Sequence, residues 1–420
     1  RGSALYRTEA EILMNLLERA HAVTPWGTQT NAKRIPTALA GVMPAFITHA
    51  HGCRMTADDG RTFIDYRSAL GPIILGYTHP DVDDAVRDQL GRGVLFSMSS
   101  PLEVELAEYL CGHLPGVEQI RFLKTGHEAN GACLRLARAF TGRSHVITCG
   151  YHGHTDYFAA GGGSAPLWMN RTGNGVPLEI DDLVTRVPYG DHDALEQALE
   201  DHGHHLAAII MVPYDWQENI ARDFVSRARE ATQALDALLI FDQVLTGFRL
   251  SPTGGQGFFG IVPDLTSYAK AMANGYPISA YGGRRDVMQR HDQVTITTTY
   301  AGETLSLAAA LVTTKKILEE PIIDEMARQG ARIATAFDHM AASLGLPFRS
   351  FGLPQAHQFR FDDTNMERDR SLRMAFFRGL LERGIFPSEP FLMNASHDDA
   401  AVEETIAAVE ASLRELADLV

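Results

Sequence analysis

The chain has 420 residues, with 37 Lys or Arg against 52 Asp or Glu, a formal net charge of −15. Apolar residues make up 45% and charged residues 21%, which excludes an intrinsically disordered chain, and the acidic balance argues against a nucleic-acid partner, which calls for a basic patch. At about 100–200 residues per domain the length allows two or three units, and no apolar run approaches the roughly 18 residues of a membrane span.

In chain order, Arg1-Gly2-Ser3 reads as the remnant of an expression tag, and no signal peptide is expected. Ala45 to His49 and Thr62 to Tyr66 carry short strand signals. Cys53, Cys111, Cys133 and Cys149 show no CxxC spacing and read as reduced thiols of a cytoplasmic protein. Gln119 to Leu123 reads as a strand, followed by a Gly turn and a helix from Glu128 to about Phe140. Ala129, Ala132, Cys133, Leu136, Ala137 and Phe140 share one face of that helix. Val146 to Cys149 follows as a strand. Leu206 to Val212 and Leu238 to Phe241 are unbroken apolar runs, expected of strands buried on both faces, with a helical spacing over Phe224 to Ala237 between them. This alternation predicts an α/β fold with a mostly parallel sheet covered by helices. A long helix is expected over Leu305 to Glu320, a strand over Ala356 to Phe361 and a last helix over 398–419. The expected organisation is a large α/β domain over 76–305 and a smaller α+β unit from both chain ends, 1–75 and 306–420.

Four segments carry candidate chemistry. Thr125, Gly126 and His127 stand between a strand and a helix, where unpaired backbone N–H groups and the helix dipole favour a phosphate. A plain helix cap explains that segment equally well by itself. Asp242 ends a buried strand, where the ligand crevice of an open parallel sheet lies, and could hold a cationic ring nitrogen or cap the next turn. Lys270 sits in an apolar stretch bounded by Gly and Pro; a buried lysine has a depressed pKa suited to Schiff-base chemistry. Tyr151 follows a strand and could stack on a flat ring, while His152, His154 and Asp156 beside it lack a further ligand for a metal. A phosphate cradle, a stacking aromatic, a strand-end Asp and a later Lys are together what pyridoxal phosphate requires.

The order and wording of these segments resemble class III (fold type I) pyridoxal-phosphate-dependent aminotransferases, within them the glutamate-1-semialdehyde aminomutase-like subgroup. Gly71-Pro72-Ile73-Ile74-Leu75-Gly76-Tyr77-Thr78-His79-Pro80 is similar to that subgroup's GPxILGHxHP signature, and Ala139 to Arg143 to its ARAxTGR. Gly254 to Gly260 with Pro263 to Thr266, and Thr299 to Thr304, resemble the segments before and after its lysine. The resemblance covers about residues 35–420. It implies a large domain with a mostly parallel seven-stranded sheet, Lys270 as the Schiff-base lysine, and Asp242 on the pyridine nitrogen. It further implies Tyr151 and Val244 on the two ring faces and Thr125, Gly126 and His127 on the phosphate. Thr299 would reach the cofactor of the other subunit of a homodimer, and no metal is implied.

The chain departs from the family in places. Asp242-Gln243 stands where Asp-Glu is usual, and Val212-Pro213 where Glu-Pro is usual. The arginine that binds the substrate carboxylate in the aminomutases has no counterpart in the shortened Ile35 to Gly41 segment, and the GSWGP pocket segment is changed to Ser68-Ala69-Leu70-Gly71-Pro72. These changes weigh against tetrapyrrole biosynthesis. The chain is similar to aminotransferases of gentamicin-type aminoglycoside pathways, which implies amino transfer between a small-molecule donor and an aldehyde or ketone at the 6′ carbon of an amino sugar. A polycationic substrate of that kind would suit Asp215, Glu218, Tyr300 and Glu303 as pocket-edge residues. An epimerase, racemase or aminomutase needs the same lysine and ring and stands as the alternative.

Overall fold

The computed structural model describes residues 15–159, 175–216, 221–362 and 364–418. The first three strands, β1 (Ile47–His51), β2 (Arg54–Ala57) and β3 (Thr62–Asp65), form an antiparallel meander. β1 begins two residues later than its apolar pattern suggests. Pairing starts from the tight turn at Gly52, where His51 faces Arg54 and the glycine takes φ 57°, so the turn sets the register.

The central sheet holds β4 (Gln119–Leu123), β5 (His145–Cys149), β6 (Val184–Arg186), β7 (Leu206–Met211), β8 (Leu238–Gln243), β9 (Leu265–Tyr268) and β10 (Ser279–Gly283). Its order is β4-β10-β9-β8-β7-β5-β6, with β10 antiparallel to both neighbours and the remaining pairs parallel. Every residue of β5, β7 and β8 is buried, as the unbroken apolar runs Leu206 to Met211 and Leu238 to Phe241 require of strands covered on both faces. The helix Gly126–Thr141 lays Ala129, Ala132, Cys133, Leu136 and Ala137 on one face of this sheet. It stops at Gly142, whose φ of 67° closes the C-cap.

The chain ends meet. β13 (Ile385–Phe386) pairs parallel with β3, Ile385 opposite Ile64, and a third sheet joins β11 (Arg349–Phe351), β12 (Ala356–Arg360) and β14 (Phe391–Leu392). The helices Ile322–Ser343, Met366–Glu382 and Asp399–Ala417 cover these strands around a phenylalanine cluster in which the Phe337 and Phe359 rings lie 4.3 Å apart. The first two of these helices are not evident from the sequence patterns singled out above. No helix among the described residues is long and apolar enough to cross a membrane. Cys53, Cys133 and Cys149 are buried and Cys111 half-buried, all as free thiols.

Candidate functional site

Because β10 runs against both β4 and β9, the strands β4, β5, β7, β8 and β9 all end at the same edge of the sheet. Thr125, Tyr151, Asp215, Asp242 and Lys270 follow those five ends or stand on them. Local strand signals thus deliver five side chains to one crevice.

Asp242 is its centre, 3% exposed. Its Oδ2 accepts from Nδ1 of His152 at 2.7 Å and from the Asn130 amide at 2.8 Å, and its Oδ1 from the Val244 N–H at 2.9 Å. Asn130 in turn donates to the His152 carbonyl at 3.0 Å and accepts from the Ser267 hydroxyl at 2.5 Å. A buried carboxylate that accepts from three donors is satisfied and fixed in direction. Asn130 and Ser267 were not assigned roles from sequence. The available signal was a polar residue one turn into a helix whose neighbouring positions are apolar.

The phosphate segment is built on close approach. A side chain on Gly126 would lie 2.5 Å from Val244, and one on Gly153 would strike the His127 Cβ, so both glycines let the backbone approach a neighbouring side chain closely. Glu128 closes the capping box, taking the Thr125 N–H and hydroxyl at 2.8 Å each and leaving the N–H groups of Gly126 and His127 at the helix start. His127 and His154 rings lie 4.4 Å apart, and burial with the neighbouring His154 holds the His127 pKa below its ordinary value. Tyr151 is 48% exposed, and burial of the rest of the ring, with Asp242 nearby, raises its phenol pKa. Val244 is half-buried beside Gly126.

Lys270 is half-buried and takes a left-handed backbone, φ 44°. Burial lowers its pKa, Asp242 opposes that shift and the Arg249 charge adds to it. A second left-handed piece faces it. Ser68, Ala69 and Leu70 have φ of 47°, 53° and 72° before Gly71 at 103°. Such conformations cost L-residues about 1–2 kcal/mol each, so packing must impose them. A side chain on Gly71 would lie 2.5 Å from Leu245 and 3.7 Å from Cδ of Lys270, which makes the turn a wall of the lysine site.

The other sequence candidates fall as follows. Asp215 is half-buried with no hydrogen-bond or ion-pair partner among the described residues, and burial pushes its pKa up to about 6 while His152 pulls it down and Asp242 raises it. Glu303 caps the helix Thr304–Glu319 through the Leu305 N–H at 2.7 Å and pairs with Lys124 Nζ at 2.9 Å, so its carboxylate has structural work of its own. Thr299 and Tyr300 are exposed. Glu218 lies outside the described residues. His152 belongs to the Asp242 chain, and among the described residues no group of three or more His, Cys, Asp or Glu is placed to hold a metal. Val212, at the usual glutamate position, packs on Gly150, where a side chain would lie 2.5 Å from it. Gln243, at the other, donates to Thr266 Oγ1 at 2.9 Å and to the Tyr268 hydroxyl at 3.2 Å, contacts Gln256, and accepts from the Gly255 N–H.

A crevice at the strand ends, a helix start that opens on a glycine, a fixed buried carboxylate and a lysine of lowered pKa fit a phosphorylated pyridine aldehyde. Comparison with known proteins agrees. The family model for class III aminotransferases matches residues 37–383. Glutamate-1-semialdehyde 2,1-aminomutase 2 of an Exiguobacterium species is 34% identical over 421 residues, covering 95% of this chain and 96% of that protein. The aminomutase of Akkermansia muciniphila is 33% identical over 422 residues, covering 96% and 98%. Among solved structures, an omega-transaminase from Sphaerobacter thermophilus is 26% identical with a TM-score of 0.87, covering 96% of this chain and 97% of that one. The FumI protein of Sphingopyxis sp. MTA144, in its PLP internal aldimine form, is 27% identical with a TM-score of 0.86, covering 95% of each chain.

Proposed function

Since this chain belongs to the class III aminotransferases and works with pyridoxal phosphate, we propose that it moves an amino group between a small donor and an aldehyde or ketone of a natural-product amino sugar, at the 6′ carbon of an aminoglycoside. The observation that carries the substrate class is Asp215. A half-buried carboxylate with no ion-pair partner among the described residues is costly, and a substrate ammonium is the partner that relieves the cost. The missing counterpart of the aminomutase arginine supports the same reading, because it leaves no clamp of that kind for an amino-acid carboxylate.

In this reading Lys270 Nζ binds the cofactor covalently, Asp242 keeps its ring nitrogen protonated, and Tyr151 and Val244 cover its faces. The N–H groups of Gly126 and His127, with the Thr125 hydroxyl turned from Glu128, hold its phosphate. The bound cofactor supplies an electron sink for the pair left when a C–H bond at the amine carbon breaks. Lys270, displaced by the donor amine, is the general base. Its lowered pKa favours the neutral amine, which would take that proton from the amine carbon and give it up to the carbon on the other side of the amine nitrogen. His152 and Asn130 fix the direction of the Asp242 carboxylate through their two hydrogen bonds.

We also assign a second copy of the chain. Thr299 and Tyr300 stand exposed beside the apolar Val94, Leu95, Phe96 and Met98, and the Thr304 N–H ties the two segments through the Val94 carbonyl at 2.9 Å. Closing that face with its twin would bring Thr299 to the phosphate of the neighbouring site.

The relatives' name, an aminomutase, favours the second reading, in which the same lysine returns the proton without a separate donor, as an aminomutase, racemase or epimerase does. The deciding test combines absorbance with borohydride trapping. Holoprotein absorbing at about 410–420 nm should shift to about 330 nm with glutamate, glutamine or a 6′-amino sugar, and borohydride should fix the cofactor on Lys270. A keto acid consumed with the amino sugar supports transfer. Turnover of the amino sugar with no keto acid consumed supports the second reading. Borohydride labelling elsewhere than Lys270 overturns both.

A further inference from the structure

We infer that Arg249 is a positioning residue of the lysine site: its guanidinium ties the left-handed turn at Gly71 to the C-terminal segment at Met393, and so keeps that turn beside Lys270 while its positive charge acts on the lysine. The inference rests on Lys270 being the reactive lysine, as proposed above.

Arg249 is 0% exposed, the largest fully buried side chain among the described residues. It has no carboxylate partner among the described residues. Instead Nη1 donates to the Met393 carbonyl at 2.6 Å and Nη2 to the Gly71 carbonyl at 2.9 Å, while Nε has no partner. A guanidinium buried without a counter-ion is expensive, and two carbonyls compensate little of that cost. If anchoring were its whole task, a neutral amide donor would serve at less cost. The turn it clasps is the strained run Ser68 to Gly71, pinned on its other side by the Ser68 hydroxyl on the Leu392 carbonyl at 3.1 Å and by the Asn394 amide on Ser68 at 3.2 Å. Three bonds from two separated segments, Arg249 and 392–394, therefore hold one unfavourable turn, and Gly71 is the point where a side chain on that turn would meet Leu245 and Lys270. Backbone strain that the surroundings over-determine next to a reactive group is the usual mark of a positioning device.

The charge acts with the geometry. The groups whose fields reach Lys270 are Asp242, which favours its protonated form, and Arg249, which opposes it. Burial brings Arg249's own pKa down to about 9, and its field also lowers that of the buried His397. With Arg249 in place the lysine nitrogen holds its proton less tightly, which suits a base that must collect one from carbon.

Two substitutions separate clasp from charge. The holoenzyme is titrated by absorbance, the lysine-linked chromophore giving a midpoint, and kcat and KM are measured beside it. Arg249→Met removes both functions and should raise the midpoint by about one unit. Arg249→Lys keeps the charge and loses the two-pronged clasp; it should leave the midpoint in place and lower kcat about tenfold at unchanged KM. A merely structural arginine would lower the melting temperature in both variants with midpoint and kcat per folded molecule unmoved, and that result overturns the inference. Should Arg249→Met not fold, Arg249→Lys decides alone, since an unchanged kcat then sinks the idea. Borohydride labelling of wild type at a residue other than Lys270 would instead reject the assignment of the lysine.

Discussion

Asp242 and Gln243 are consecutive residues at the end of one strand, both buried, and they face opposite sides of the sheet. Asp242 lies opposite Ser267 and joins His152 and Asn130 on the crevice side, whereas Gln243 lies opposite Tyr268 and joins Thr266 and Gln256 on the other. The first network is ionic and open at one end to whatever enters the crevice. The second is neutral and closed on itself. A charge survives burial where function supplies a cation, and an amide takes its place where only a lattice of hydrogen bonds is needed.

That contrast can be broken from either side. The largest effect is expected for Asp242→Asn, which keeps the size and most hydrogen bonds while removing the negative charge. Turnover should fall by about 10²–10⁴-fold with the melting temperature shifted only slightly, read by steady-state kinetics and calorimetry. Next comes Asp215→Asn, which should raise KM for a polyamine substrate about tenfold and leave KM for an uncharged aldehyde alone. Since the Asp215 pKa is pushed up to about 6, the carboxylate gains its proton as pH falls through that value, so wild-type kcat/KM for the cationic substrate should drop on the acid side. Asp215→Asn should remove that acid limb. The smallest effect on turnover belongs to Gln243→Ala. Leaving Thr266, Tyr268 and the Gly255 N–H without their partner should cost about 2–4 kcal/mol of stability in denaturant melts, yet change kcat less than threefold per folded molecule. Equal losses of turnover in Asp242→Asn and Gln243→Ala would erase the distinction between the two networks.

The sequence made the central strands legible because their signal is local: Leu206 to Met211 and Leu238 to Phe241 are apolar at every position, and burial on both faces asks nothing else of them. The cluster of Lys270, Asp242, Tyr151 and the helix start at Gly126 was legible for a related reason, each standing just past a strand. What stayed hidden depends on distant segments. Nothing near Arg249 shows that it binds carbonyls at Gly71 and Met393, 178 and 144 positions away. The left-handed run Ser68 to Leu70 contains no glycine, so no residue type announces it. Glu303 looked like a pocket acid because a helix cap and a substrate ligand draw on the same residue types, and only the placement of Lys124 and the Leu305 N–H shows the structural use.

The parallel pairing of β3 with β13 sets residue 64 against residue 385. During synthesis the first three strands emerge with an open edge whose partner lies 321 positions further along the chain, Ile385 opposite Ile64. The small sheet therefore cannot close until the central sheet has had time to form, and its closure spans one of the longest loops in the chain. Assembly is vectorial by construction: an early three-stranded meander waits, open along β3, for a strand made much later in the same chain. A slow stretch of translation before residue 385 would lengthen that wait, and with it the time in which another chain's strand could take the vacant edge.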